Sequence, residues 1–101
     1  MKIFLSHPMT GKSKEEILNL RKEMMEWAYN HIGPTNNMIF IDSYLDLGDV
    51  GPLIYISKSI ELLDQADIVL VHPDWIFSRG CKVEVDCALL YGKHNVIFMK
   101  E

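Results

Sequence analysis

The hydrophobic pattern of this 101-residue chain changes period from segment to segment, and the changes mark out seven elements. Residues 2–5, Lys-Ile-Phe-Leu, are a short β-prone run. Past the polar loop 6–11, Ser13 and Glu16 are spaced as a capping box, and Ile17, Leu20, Met24, Trp27 and Ala28 recur at helical spacing, which predicts a helix over 13–32. Gly33-Pro34 stops that helix, because proline cannot continue the hydrogen-bond ladder. Residues 38–41 form a second strand candidate, and an Asp- and Gly-rich loop, 42–51, follows. Pro52 suits the first turn of another helix, whose face carries Leu53, Ile56, Ile60 and Leu63 up to about residue 66. Residues 67–71, Asp-Ile-Val-Leu-Val, read as a strand buried on both faces. A third helix covers about 80–91 with Gly92 at its C-terminal cap, and 95–99 is the last strand.

The resulting order is βαβαβαβ. Strands alternating with helices favour a parallel sheet, here of four to five strands, with right-handed crossovers and helices on both faces. In such sheets ligands bind beyond the carboxyl ends of the strands, at the point where the strand order reverses. Three loops meet that rule: 6–11, 42–51 and 72–79. No linker, repeat or low-complexity stretch divides residues 1–101, which are read as one domain.

Composition narrows the class. A hydrophobic fraction of 49% describes a folded globular chain and excludes disorder. No apolar run approaches the roughly 20 residues needed to cross a bilayer, and residues 1–5 are too short for a secretory hydrophobic region, so a cytoplasmic protein with no membrane partner is expected. A net charge of −4 argues against nucleic acid, which is held mainly through clustered Lys and Arg on phosphates. Cys81 and Cys87 are about 9 Å apart in axial rise on one predicted helix, beyond disulfide reach. They are read as reduced core residues. His7, His31, His72 and His94 are scattered singly, so no metal is expected, and without a Gly-rich dinucleotide fingerprint no cofactor either. Gly11-Lys12-Ser13 looks like the end of a phosphate-binding P-loop, but that motif needs a glycine where this chain has Ser6. A turn glycine before a helix cap is the better reading.

The chemistry concentrates in residues 75–92, Trp-Ile-Phe-Ser-Arg-Gly-Cys-Lys-Val-Glu-Val-Asp-Cys-Ala-Leu-Leu-Tyr-Gly. Ser78, Arg79 and Gly80 precede an apolar helical pattern, and Glu84 falls inside the expected first turn. There the helix dipole would hold its carboxylate ionised, beside backbone N–H groups able to bind an anionic or hydroxylated ligand. Such an acid suits a nucleophile or a ligand clamp; its plainer role is dipole stabilisation. Around it, His7, Pro8 and Met9 follow the first strand, Asp42 and Tyr44 the second, and Asp74 and Trp75 the third. Asp42 and Tyr44 suit a base edge or ribose hydroxyl, Asp74 is a candidate acid, and Trp75 is a stacking surface or an interface anchor. Met24, Met25, Trp27 and Tyr29 read as core or subunit interface. Asp67 is assigned a structural role at its strand start.

Three stretches together resemble the nucleoside 2-deoxyribosyltransferase-like family. They are residues 3–11 (Ile-Phe-Leu-Ser-His-Pro-Met-Thr-Gly), residues 66–70 (Ala-Asp-Ile-Val-Leu), and the spaced set Trp75, Ser78, Gly80, Glu84, Ala88 and Gly92. The likeness spans nearly the whole chain and is nearest to a small bacterial and phage branch. It implies a flavodoxin-like three-layer sandwich that cleaves or exchanges the N-glycosidic bond of a 2′-deoxynucleoside or its 5′-monophosphate. Glu84 is then the nucleophile on C1′, forming a glycosyl-enzyme resolved by water or a second base. Ser78 takes the position that superfamily hydrolases use on a 5′-phosphate, with Arg79 and Gly80 beside it. The loop of Ser6, His7, Pro8 and Met9 lines the base and sugar pocket. Many active members carry a catalytic aspartate on the second helix, about eight residues before the position of Asp67, where this chain has Ser59. Leaving-group protonation then falls to Asp74, Asp42 or a partner subunit.

The resemblance also implies a homo-oligomer, a dimer or larger, whose subunits complete one another's sites. Two other functions stay open at this point: a non-catalytic nucleotide-binding module that keeps the pocket, and an assembly protein using Trp75 and the methionine face.

Overall fold

Residues 1–33, 37–92 and 95–100 are described by the computed structural model, and Pro34 and His94 lie outside the described residues. Four strands form a single parallel sheet: β1 (Lys2–Ser6), β2 (Ile39–Phe40), β3 (Ile68–Val71) and β4 (Asn95–Phe98), in the spatial order β2-β1-β3-β4. Three helices connect them, α1 (Lys14–His31), α2 (Pro52–Leu63) and α3 (Arg79–Tyr91). The order reverses at β1, between β2 and β3, which makes the carboxyl ends of β1 and β3 the expected ligand edge. The architecture is a flavodoxin-like α/β sandwich.

Alternation along the central strands divides the core into two halves. Phe4, Val69 and Val71 face one side and pack with Leu63 of α2 and Val85 and Ala88 of α3. Ile3, Leu5, Ile68 and Leu70 face the other and pack with Met24 and Ala28 of α1. Both sides of β1 and β3 are therefore covered, as the continuous apolar run at 68–71 requires. Ile3 pairs with Ile68 and Ser6 with Val71. At the start of the ladder Asp67 accepts the Lys2 N–H through Oδ2 at 2.8 Å, and its own N–H donates to the Lys2 carbonyl at 2.8 Å, the structural role expected of it.

The helix ends follow local chemistry. Ser13 and Glu16 form the reciprocal capping box, at 3.1 and 3.2 Å. Ser78 caps α3 by accepting the Cys81 N–H at 3.3 Å, and Gly92 closes it at φ 60°, a left-handed conformation natural to glycine. Three expectations are adjusted. β2 spans two residues, not four, although the Ile41 N–H beyond it still donates to the Ile3 carbonyl at 2.9 Å. α2 stops at Leu63, short of residue 66, and a turn carries the chain to β3. Within the loop 72–79, Pro73–Phe77 winds into a 3₁₀ helix: proline fixes the first φ, and His72 Nδ1 accepts the Asp74 N–H at 3.0 Å. Among the described residues no helix is long and apolar enough to cross a membrane.

Leu70 is fully buried between the central strands and α1. Leu70→Ala should cost about 3 kcal/mol, from lost transfer free energy and an unfilled cavity, read as a lower urea midpoint with an unchanged slope. A cost under about 1 kcal/mol would contradict this core.

Candidate active site

Past the carboxyl ends of β1 and β2 lies a cavity of about 710 Å³. The loop after β1 contributes His7, Met9, Thr10 and Lys12, and the loop after β2 contributes Tyr44, Leu45 and Val50. A third wall is α2, with Leu53, Tyr55, Ile56 and Ser59, and the start of α3 supplies Ser78, Arg79, Gly80, Cys81, Val83 and Glu84. The lining thus joins an apolar wall to several hydroxyls, an imidazole, a thiol, two cations and one carboxyl group. Leu53, placed by periodicity on the packed face of α2, is 81% exposed and stands over the cavity.

Glu84 is its centre. α3 begins at Arg79, so Glu84 is the sixth residue, in the second turn, and the first-turn reading is corrected. The dipole has faded at that depth, and burial takes over as the dominant effect. With 6% of its surface exposed, Glu84 has its carboxyl pushed above the ordinary carboxylate range by desolvation, opposed by hydrogen bonds from Ser59 and Ser6. Ser6 Oγ donates to Glu84 Oε1 at 2.7 Å, and Ser59 Oγ donates to Oε2. Each carboxylate oxygen therefore has a hydroxyl donor from a different element, β1 and α2. Beside them the Cys81 thiol is pushed up by burial, and it is a free thiol, as is Cys87.

A second buried network sets the loops. Arg21 on α1 is 5% exposed and donates through Nη1 to Ser43 Oγ at 2.7 Å and to His7 Nε2 at 3.3 Å, and through Nη2 to the Ile41 carbonyl at 2.9 Å. A guanidinium only donates, so His7 Nε2 accepts, and the ring proton sits on Nδ1, which donates to the Pro8 carbonyl at 3.3 Å. Burial, with Arg21 adding to it, lowers the His7 pKa from 6.5 to about 4. His7 is neutral and both ring nitrogens are engaged, so its role is to shape the wall. Tyr55 donates its hydroxyl to the Leu45 carbonyl, tying the loop after β2 to α2.

The structure brings together His7, Met9, Tyr44, Ser78, Arg79, Gly80 and Glu84 at the cavity. Ser6 is wholly buried behind Glu84, outside the lining. Pro8 is half-buried beside it. Asp42 is exposed, and its Oδ1 accepts the Tyr44 N–H at 3.3 Å, a local turn. Asp74 and Trp75 ride on the 3₁₀ helix outside the lining; Asp74 is exposed, and Trp75 packs on Phe98 with ring centroids 5.5 Å apart. Of the methionine face, Met24 is core, Met25 and Trp27 pack against it, and Tyr29 meets Phe40 edge-on at 5.6 Å. Among the described residues no three His, Cys, Asp or Glu side chains converge to hold a metal ion.

Arg21 escaped the sequence reading, although its spacing, four after Ile17 and three before Met24, places it on the buried stripe of α1. Lys12, Tyr55 and the apolar wall at Val50, Ile56 and Val83 left no such signal, since only the tertiary fold gathers them.

Two pH effects follow, of opposite sign. A histidine held at about 4 in the folded state but at 6.5 unfolded contributes fully above pH 6.5 and loses its contribution as the pH falls toward 4, up to about 3 kcal/mol. In urea denaturation His7→Gln should flatten the stability profile between pH 7 and pH 4.5; an unchanged slope would refute the burial argument. Glu84, raised in the folded state, contributes fully below its unfolded value near 4.5 and loses that as pH rises through its folded value. Glu84→Gln should therefore melt higher than the parent at pH 7.5, and a lower melting temperature would contradict it.

A family model described as Domain of unknown function (DUF4406) matches residues 1–97. No curated protein and no solved structure matches the chain. Since the match takes in nearly every element of the sandwich and every wall of the cavity, the chain belongs to the DUF4406 family.

Proposed function

We propose that this protein cleaves or transfers the N-glycosidic bond of a 2′-deoxynucleoside 5′-monophosphate or the corresponding nucleoside, with Glu84 as the nucleophile. The observation that carries the reading is a buried carboxyl group in the cavity at the ligand edge of the sheet, with both oxygens held by serine hydroxyls. The resemblance to nucleoside 2-deoxyribosyltransferases supports the same assignment. In the first step a Glu84 oxygen bonds to C1′ as the C1′–N bond breaks, and the electron pair leaves with the base. In the second, water or another base attacks C1′ and returns the bonding pair to the carboxylate. Glu84 is the one carboxyl group among the described lining residues, and Asp74 lies outside the lining, so the proton for the departing base is left to Lys12, Tyr44 or Tyr55 of the lining, to solvent or to a partner subunit.

Arg79, Lys12, the Ser78 hydroxyl and the first N–H groups of α3 favour an anionic 5′ group. The apolar wall of Val50, Leu53, Ile56 and Val83 suits the flat face of a base. Self-association, as a dimer or larger, is supported by exposed apolar side chains: Phe77 at 82%, Leu90 at 81% and Tyr91 at 76%. A second reading is a nucleotide-binding module without turnover. It is favoured by Ser59, which stands where the resemblance implies an acid.

The test is a panel of deoxynucleosides and their monophosphates, with and without a second base, followed by chromatography and by thermal shift. The expected result is base release that rises with pH as Glu84 ionises and falls at least about a thousandfold in Glu84→Gln. Release at the parent rate in Glu84→Gln would overturn the assignment. Stabilisation by nucleotides without any base release would establish the binding module instead. Sedimentation should show a species larger than one chain; a monomer at tens of micromolar would remove the self-association.

A further inference from the structure

The two hydroxyls that hold Glu84 are not equivalent. Ser59 lines the cavity, whereas Ser6 sits at 0% exposure on the last residue of β1, behind the carboxylate and out of reach of a ligand. Ser6 meets Oε1 at 2.7 Å, and Ser59 meets Oε2. Oε2 is thus the oxygen held by the serine that lines the cavity, and Oε1 is tied to a central strand paired on both edges. We propose that Ser6 is a positioning residue that holds Oε1 from behind and leaves Oε2 as the oxygen that bonds to the sugar.

The proposal rests on Glu84 being the nucleophile and specifies how the chain prepares it. When Oε2 bonds to C1′, the C1′–N pair leaves with the base, and no proton moves at Glu84. Oε1 becomes the carbonyl oxygen of the glycosyl ester and still accepts the Ser6 hydroxyl. That bond polarises the carbonyl, so the carboxylate is a better leaving group when water or a second base attacks C1′ and the pair returns to Oε2. Ser59, whose acceptor loses its charge on attack, has to give up most of its bond. One hydroxyl therefore persists through both steps and the other yields.

The charged and titratable groups sharing the cavity with Glu84 are Cys81 on its own helix, His7 and Lys12 after β1, Tyr44 after β2, Tyr55 on α2 and Arg79. Burial holds the His7 pKa at about 4, and it raises both the Cys81 thiol and the Glu84 carboxyl above their ordinary ranges.

The experiment compares the parent with Ser6→Ala and Ser6→Thr. Carbon-13 NMR titration of the Glu84 carboxyl, assigned with Glu84→Gln, needs no turnover. The midpoint is expected to rise by about one pH unit in Ser6→Ala, the loss of one hydrogen bond to a charged group, and to return toward the parent in Ser6→Thr. An unmoved midpoint in a Ser6→Ala protein that melts cooperatively would overturn the hold. Kinetically, kcat of Ser6→Ala should fall about tenfold even on the high-pH plateau, with KM within about twofold, and Ser6→Thr should recover most of the loss. A change confined to KM would overturn the positioning role. In the glycosyl-enzyme trapped with a 2-fluoro-substituted deoxynucleotide analogue, the ester carbonyl band should move to higher wavenumber in Ser6→Ala. A band at the parent position would assign the attack to Oε1 and overturn the choice of Oε2. If the parent releases no base, the nucleophile reading fails, and the NMR midpoint still decides whether Ser6 holds the carboxylate.

Discussion

Desolvation of one carboxyl group is the constraint around which the cavity is built. Glu84 is nearly as buried as Val85 beside it, and an unaccompanied carboxylate at that depth would neutralise itself or prevent folding. Two hydroxyls, from the end of β1 and from the buried face of α2, offset that cost. Hydroxyl donors stabilise negative charge without bringing a positive one; they lower the carboxyl pKa without overcoming the rise that burial causes. The cations Lys12 and Arg79 are lining residues that make no described ion pair with Glu84, and that separation keeps charge for a ligand distinct from charge for chemistry.

The second constraint is Arg21. A guanidinium on the buried stripe of α1 interrupts an otherwise apolar face, and burial pulls its pKa down while Asp42 opposes that. Its three described acceptors come from the two loops that follow β1 and β2. One side chain from the helix on the far side of the sheet thus joins the segments that supply His7 and Tyr44 to the cavity. A buried hydrogen-bond network of this kind is worth little unless it is complete, which favours a single loop arrangement over several.

Much of the fold was legible in the sequence because its signals are local. The four consecutive apolar residues 68–71 carry the pattern of a strand covered on both faces, and Ser13 with Glu16 marks the start of α1. The β2 pattern runs longer than the strand because Met38 and Ile41, on either side of it, are core residues as apolar as those within a strand. The electrostatics were less legible. From the sequence Glu84 falls one turn too early relative to the helix start, and a one-turn error exchanges a dipole-stabilised surface acid for a desolvated core one. Ser59 stands where the resemblance implies an acid; in space it is a hydrogen-bond donor to Glu84. Asp74, beside a strand end in sequence, was carried away when Pro73 wound the loop into a 3₁₀ helix.

The bracket that Asp67 places around Lys2 has a reach beyond the strand ends it joins. Side chains on a strand alternate between faces, so a slip of one residue between β1 and β3 would turn Ser6 toward α1 and present Leu5 or His7 to Glu84 instead. The hydrophobic pattern alone resists that slip only on average, whereas a carboxylate gripping one particular amide resists it at a single position. The contact that decides which side chain meets the acid is thus made at the opposite end of the strand, as an alignment mark distant from the part it aligns.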